Sequence, residues 1–490
     1  MNDEDKTLQL LGDMVNRLRI TRADKQELVA SMLSMVEDLV LSDPMLYARS
    51  NYRDIIIEEI TDLVCLQMTD VFPSHTDYFI VDILPKLIEE ALYIYNMFFS
   101  PKREYGNTFI RVKPNTEKMA TKIDYLSNVP QPDQRTDEWY IFRHKYLTAS
   151  SLWKVFSTPG SRNQLIYDKC KPLDTNKYKG FSTTSPMHWG HKYEPVSIMW
   201  YEEKFGTTVS DFGCIPHKTI EYIAASPDGI NTCPKSDRYG RMLEVKNIVN
   251  REITGIPKPE YWIQMQIQME VCELNECDFL ETRFVEYECK EDFEEDGSFQ
   301  YTKEGKHKGV IIFFIKEEQP HYEYAPFMCT REEYCKWEKE TMDKNKNFTW
   351  VQNLYWKMEE ISCVLVLRNK TWFSGAKPVL DKFWEIIQRE KKGDYTHRAP
   401  KKRQRSELSP GINASKCMIN IDTLTLPEAK INTKINTEIN TEINTEIVES
   451  CTVETDHKIV SKQSDPVSKI INISTESFSK NNYSQKAEDS

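Results

Sequence analysis

The chain has 490 residues, 39% of them hydrophobic, enough apolar material for the cores of two or three domains. No run approaches the ~20 apolar residues of a membrane-spanning helix, and the N-terminal MNDEDKTLQL is acidic rather than a basic secretion signal. Twelve cysteines with no CxxC pair read as reduced thiols, so we expect a soluble intracellular protein, cytoplasmic or nuclear, with no membrane partner.

The net charge of −12 is unevenly spread: residues 1–100 hold eight Lys/Arg against eighteen Asp/Glu, which leaves the rest close to neutral. The same stretch places apolar residues at three- and four-residue spacing in LLGDMVNRLR, LVASMLSMVEDLVL, DIIIEEITDLV and LIEEALYIYNMFF. We read residues 1–125 as an acidic, all-α N-terminal domain with no chemical motif of its own. A polar segment rich in Pro and Asn, around 113–134, leads into a mixed α/β region.

There the pattern predicts a helix over 188–205, strands near 207–216, 222–227 and 241–249, a helix over 259–274 and a strand over 278–288. GVIIFFI (309–315) adds strand signal, and helical segments are expected from there to about residue 392. Residues 141–192 carry nine Lys/Arg against only Asp168 and Asp174, which suits either a phosphate backbone or plain solvation. We assign 126–395 to this domain and 396–490 to a third segment, where HRAPKKRQRSE precedes the repeat INTKINTEINTEINTEI. That polar, aromatic-poor tail reads as disordered, and PKKRQR suits nuclear import, a nucleic-acid tether or an ordinary charge run.

Two short stretches carry chemistry. In RMLEVKNIV (241–249), strand alternation groups Met242 with Glu244 and Lys246 and puts Leu243 and Val245 on the other face. Alone, that is an ordinary salt-bridged strand with one wet face. Upstream, YIAASPDGI (222–230) ends a short apolar strand at Asp228, in what is otherwise a common Pro-Asp-Gly turn. Two antiparallel strands joined by NTCPKSDRYG bring Asp228 opposite Glu244, and their carboxylates with the Val245 carbonyl make a sparse Mg²⁺ site. Lys246 then stands where it can hold and polarise a water, and the set suits in-line attack on a phosphodiester. A rival set, His188, His191, Cys214 and His217, has zinc-compatible H-x2-H and C-x2-H spacing, although His188 and His191 belong to the predicted helix 188–205.

At these residues the chain resembles the PD-(D/E)xK nucleases, which place Asp and then Glu-x-Lys on consecutive strands of an αβββαβ core. SPDG (226–229) followed by LEVK (243–246) matches that plan. The likeness narrows to the lambda-type exonuclease and YqaJ viral recombinase branch. WYIFRHKYLTAS (139–150) is similar to its W-x3-R and TAS entry motif, HWGHKYE (188–194) to its W-G-x3-E motif, and YWIQMQ (261–266) to its Y-x2-Q-x-Q motif. The five matches cover about residues 135–290.

The resemblance implies a restriction-endonuclease-like α/β fold, with Asp228, Glu244 and the Val245 carbonyl on Mg²⁺ (Mn²⁺ as a substitute). It implies catalytic roles for Lys246, Glu194 and Gln264, and a grip of Arg143, Ser150 and Ser226 on a DNA terminal phosphate. Gln264 is preferred to Gln266 and Gln268, although Gln264 and Gln268 share a helix face. Trp139 and Tyr261 either stack on bases or pack, with packing favoured for Trp139. The implied activity is an exonuclease acting on duplex DNA ends in recombination or repair, with room for a single-strand annealing partner and for a homo-oligomer. An endonuclease of the same fold and a catalytically silent DNA-binding module stay open as alternatives. The acidic helical domain and the tail have no counterpart in the compact phage-type enzymes, which leaves their processive ring an open question here. The family branch and the Ile/Asn/Lys-rich tail point to a large DNA virus as the source.

Overall fold

The structure, a computed structural model, describes residues 21–69, 79–132, 136–174 and 185–400. These lie in one unit, Met1–Arg403, while a second unit, Gln404–Ser490, falls outside the described residues. The expectations for LLGDMVNRLR, for KKRQR and for the repeat tail therefore also lie outside them.

The N-terminal region is helical, as its spacing predicts: α1 (Arg22–Ser42), α2 (Pro44–Ala48), α3 (Tyr52–Thr69) and α4 (Leu84–Phe98). A capping box at Thr21 and Asp24 starts α1, and Asp43 caps α2 through the Met45 N–H at 2.9 Å. A further helix, α5 (Thr116–Ser127), precedes α6 (Asp137–Lys145), whose first-turn acids and last-turn bases both suit the helix dipole. Strand β1 (Leu147–Thr148) then runs into the short α7 (Ala149–Leu152), followed by α8 (Pro159–Cys170).

The central part has the helix–three strands–helix–strand plan of a restriction-endonuclease-like core. Helix α9 (Pro186–Phe205) starts on a Ser185 cap and stops at Gly206, which takes the left-handed conformation at φ 57°. After it come β2 (Val209–Ser210), β3 (Ile215–Pro216), β4 (Ile223–Ala225), β5 (Gly229–Asn231), β6 (Met242–Asn247), α10 (Pro259–Cys272) and β7 (Glu276–Glu286). The single strand expected near 207–216 is thus two short ones, in different sheets. Strands β1, β4 and β3 form a small sheet of their own, in that order, with β1 parallel to β4.

Beyond β7, α11 (Lys290–Glu295), β8 (Lys308–Lys316), β9 (Gln319–Tyr324), α12 (Arg331–Lys344), β10 (Thr349–Leu367) and α13 (Lys370–Lys392) complete the described chain. Here the expectation of helices to residue 392 is corrected. Strand β10, 19 residues long, sits inside a seven-stranded sheet of order β2-β5-β6-β7-β10-β8-β9 and pairs antiparallel with both β7 and β8. Its buried Leu354, Trp356 and Met358 alternate as a strand requires, but the register shifts between Met358 and Glu360, so the alternation changes phase midway.

The sheet is covered on both faces. On one, Tyr193, Val196 and Trp200 of α9 pack on Leu243, Val245, Leu280 and Trp356. On the other, α10 and α13 share a continuous core with Met242, Phe279 and Val364 and with the N-terminal helices. Trp372 of α13 donates from its indole to the Pro44 carbonyl at 2.8 Å, and the buried Arg103 donates to the Ala48 and Pro257 carbonyls. The N-terminal helices are thereby tied to the segment that launches α10.

Candidate active site

Strand β6 divides as alternation requires. Met242 and Glu244 face α10, whereas Leu243 and Val245 enter the core under α9. Strand β5 runs antiparallel beside it, with Gly229 opposite Leu243, so Asp228 stands just before the pairing begins. A Cβ at Gly229 would overlap the Val209 side chain, which explains a glycine next to the carboxylate. The Val245 N–H donates to Asp228 Oδ2 at 2.8 Å. In an antiparallel ladder the N–H and C=O of one residue point to the same side, so the Val245 carbonyl shares that side with Asp228.

Helix α10 is buried on nearly every side, and its three glutamines must find partners inside. Gln264 and Gln268, one turn apart, both donate to Glu244: Nε2 of each lies 2.7 Å from Oε1 and Oε2 respectively. Gln266 points elsewhere, to the Leu367 carbonyl. Lys246 forms an ion pair with Glu244 Oε1, and its ammonium lies 5.3 Å from the ring centroid of Tyr261.

Burial pushes the Asp228 carboxyl well above its usual range, and the Glu244 charge pushes it further; Glu194 on α9 adds to the same effect. Burial alone lowers the Lys246 ammonium, but Glu244 and Asp228 outweigh it and hold the proton on. At Asp228 the charges of two further carboxyls, Glu244 and Glu194, are thus opposed by the Lys246 ammonium. Among the described residues no three His, Cys, Asp or Glu side chains form a metal cage. Two carboxylates at paired strands and a backbone carbonyl are hard oxygen donors of the kind that could hold a divalent cation.

Arg143, at the end of α6, donates to Ser226 Oγ at 2.9 Å, two residues before Asp228. Its guanidinium also stacks 4.5 Å from the centroid of Trp139, which settles that ring against the arginine. Ser150 is exposed. The register pairs Thr148 with Ala224, so Ser150 and Ser226 each stand two residues past a paired position. Lys169 of α8 donates to the Arg143 carbonyl at 3.1 Å, and burial together with the neighbouring guanidinium brings its ammonium down to about 8. Trp139, Arg143 and Lys169 line a cleft of about 1330 Å³, together with His188, Lys192 and Tyr322.

The zinc-spaced residues have separate surroundings. His188 hydrogen-bonds to the Tyr322 hydroxyl at 2.6 Å, and His217 accepts from the Thr219 and Ile220 amides at 3.1 Å. Cys214 is buried beside Ser226 and Arg143.

Residues 138–275 match the YqaJ-like viral recombinase domain. A viral relative, the uncharacterised protein R354 of Acanthamoeba polyphaga mimivirus, is 30% identical over 333 residues. The matched part is 60% of this chain and 59% of that protein, so the chain spans about three fifths of its relative's length. Two solved structures are also similar, the alkaline exonuclease of Laribacter hongkongensis and the same enzyme in complex with dAMP. Each is 19% identical with a TM-score of 0.31; they cover 54% and 52% of this chain and 97% and 95% of their own. No helix of the described residues is long and apolar enough to cross a membrane.

The matched segment, residues 138–275, includes the candidate residues Arg143, Ser150, Glu194, Ser226, Asp228, Glu244, Val245, Lys246 and Gln264. The structure brings Asp228 to Val245, and Lys246 and Gln264 to Glu244; Glu194 acts on Asp228 through its charge, and Arg143 meets Ser226. Ser150 makes no such contact. Sequence reasoning passed over Gln268 and Lys169. The shared helix face of Gln264 and Gln268 is signal enough for the first, whereas nothing local marks Lys169.

Proposed function

We propose that the protein is a Mg²⁺-dependent DNA exonuclease that degrades linear duplex DNA from phosphorylated ends, in recombination or repair. The observation that carries this reading is the meeting of Asp228, Glu244 and Lys246 at the edge of β6 inside a YqaJ-like domain. Asp228, Glu244 and the Val245 carbonyl would hold the cation, which Mn²⁺ can replace. When bound, it supplies charge to offset the phosphodiester and to acidify a water. Lys246 orients that water and neutralises the carboxylates around it. Gln264 and Gln268 keep Glu244 in one rotamer, since each of its oxygens has an amide donor. Arg143 and Ser226 supply charge-assisted and neutral donors to a terminal phosphate, with Ser150 nearby. A grip on an end favours an exonuclease over mid-strand cutting.

The test uses end-labelled linear duplex with 5′-phosphate or 5′-hydroxyl ends, a closed circle, and Mg²⁺, beside a Lys246→Ala variant. Stepwise loss from phosphorylated ends, absent from the circle and the variant, is expected. Cutting of the circle would show an endonuclease instead. DNA binding without any cutting under Mg²⁺ or Mn²⁺ would show a silent module.

A further inference from the structure

Glu281 is a buried carboxylate beside the site that the chemistry above does not use. It stands on β7 directly opposite Lys246 in the parallel β6–β7 register, and paired neighbours project to the same face of a sheet. Its side chain is 1% exposed. One oxygen, Oε1, takes an ion pair from Arg251, while Oε2 is buried without a hydrogen-bond partner. A half-satisfied carboxylate in a dry interior is costly and calls for a cause.

Its surroundings converge on Lys246. The Tyr261 ring lies 5.3 Å from the Lys246 ammonium and 5.6 Å from the Arg251 guanidinium, so both cations meet at one aromatic face. Arg251 is itself pinned. Arg283, two residues beyond Glu281, donates to the Arg251 and Val249 carbonyls at 2.5 and 3.1 Å. The loop after β6 is thus fastened to β7 on either side of Glu281's partner.

Glu244 presents the complementary problem. Its oxygens are occupied by Gln264, Gln268 and Lys246. The two glutamines sit on a helix buried all round, whereas the Lys246 side chain is 22% exposed on a flexible stem. A cation arriving at Glu244 repels the ammonium and not the amides, so Lys246 is the donor that leaves. Glu281 Oε2 is an unpartnered oxygen on the paired residue of the next strand, and the Lys246 charge already acts on that carboxyl.

We propose that Glu281 is a positioning residue for Lys246: its unpartnered oxygen receives the lysine ammonium when a divalent cation takes the place of that ammonium at Glu244, with Arg251 holding Glu281 in place. No proton is transferred in this hand-over. The inference rests on the metal-dependent reading above and deepens it.

The test follows thermal unfolding of the full chain during Mn²⁺ titration without DNA, for wild type, Glu281→Gln, Lys246→Met and the double variant. Glu281→Gln should need about tenfold more Mn²⁺ for half-saturation, the worth of one hydrogen bond to a charged group. In the Lys246→Met background the same change should alter half-saturation by less than about twofold, because no ammonium needs receiving. Wild-type half-saturation in Glu281→Gln, or equal weakening with and without the lysine, overturns the proposal and leaves the metal-dependent reading standing. No stabilisation of the wild type by Mn²⁺ overturns both. Should Glu281→Gln fail to fold, Arg251→Met, a partly exposed change, takes its place in the cycle under the same criteria.

Discussion

Two buried charge clusters sit on neighbouring strands and are built to opposite rules. On β7, Asp278 accepts from Thr108 and Tyr201, at 2.6 and 2.5 Å, and from Arg238 and Arg241, while Glu276 takes the other edge of Arg241. Two carboxylates meet two guanidiniums, and the cluster is closed. On β6 and its surroundings, Lys246 pairs with Glu244, while burial and the charges of Glu244 and Glu194 push the Asp228 carboxyl up. Burial permits a balanced network as structure, whereas carboxyls crowded so that one is pushed well above its usual range suit the cation of the proposed function. The difference separates a fastening from a site without reference to motif.

Substitutions at the two clusters should break the protein in different ways. The largest effect is expected at Lys246: Lys246→Ala should lower the rate of DNA cleavage by about 10²–10⁴-fold, measured in single turnover, with the unfolding transition retained. Glu244→Gln should likewise abolish cleavage and remove stabilisation by Mn²⁺, because it removes one of the paired carboxylates. Arg241→Met should do the reverse. It leaves Asp278 under-compensated in the interior and should cost about 3–5 kcal/mol in urea unfolding, while any protein still folded keeps its Mn²⁺ response. Loss of metal binding in Arg241→Met with little loss of stability would dissolve the distinction.

A finer comparison lies between the edge proposed to be catalytic, around Glu244 and Lys246, and the edge proposed to grip a DNA end, around Arg143. Arg143→Ala should reduce the preference for 5′-phosphate over 5′-hydroxyl ends by about 10–100-fold, the worth of charge-assisted hydrogen bonds. Cleavage of 5′-hydroxyl ends should change little. Equal loss on both kinds of end would instead make Arg143 a support of the Trp139 packing.

The same contrast explains what was legible in the sequence. Asp228, Glu244 and Lys246 are readable because strand alternation and a hairpin-length spacer fix their relation locally. The pairing of Gln264 with Gln268 follows from the helix repeat, and preferring one of them understated what a shared face means. Strand β10 is hidden because its alternation holds only from Leu354 to Met358: the register shifts there, and Val364, Leu365, Val366 and Leu367 beyond it are buried without a break. Glu281 and Lys169 could not be found, because each owes its place to a partner far along the chain. Lys246 and Glu281 meet only through parallel pairing, and Arg143 and Lys169 only through the packing of two helices.

Lys169 gives the smallest effect and the one most specific to the edge proposed to grip a DNA end. Its ammonium caps the last turn of α6 through the Arg143 and His144 carbonyls, at 3.1 and 3.5 Å. Burial first, and then Arg143, lower it to about 8; Asp168 and Cys214 oppose that shift and Lys391 adds to it. Because the folded value lies below the unfolded lysine value, the unfolded chain binds more protons between the two. Lys169 therefore contributes stability that rises with pH from about 8 towards the unfolded value, and its cost is fully present below 8. Binding runs the other way. A phosphate dianion favours the charged lysine, so the preference for 5′-phosphate ends should weaken a few-fold as pH rises through about 8. In Lys169→Met the preference should start lower and show no step there. A step of wild-type size in that variant would assign the pH dependence to another group and leave Lys169 as a helix cap alone.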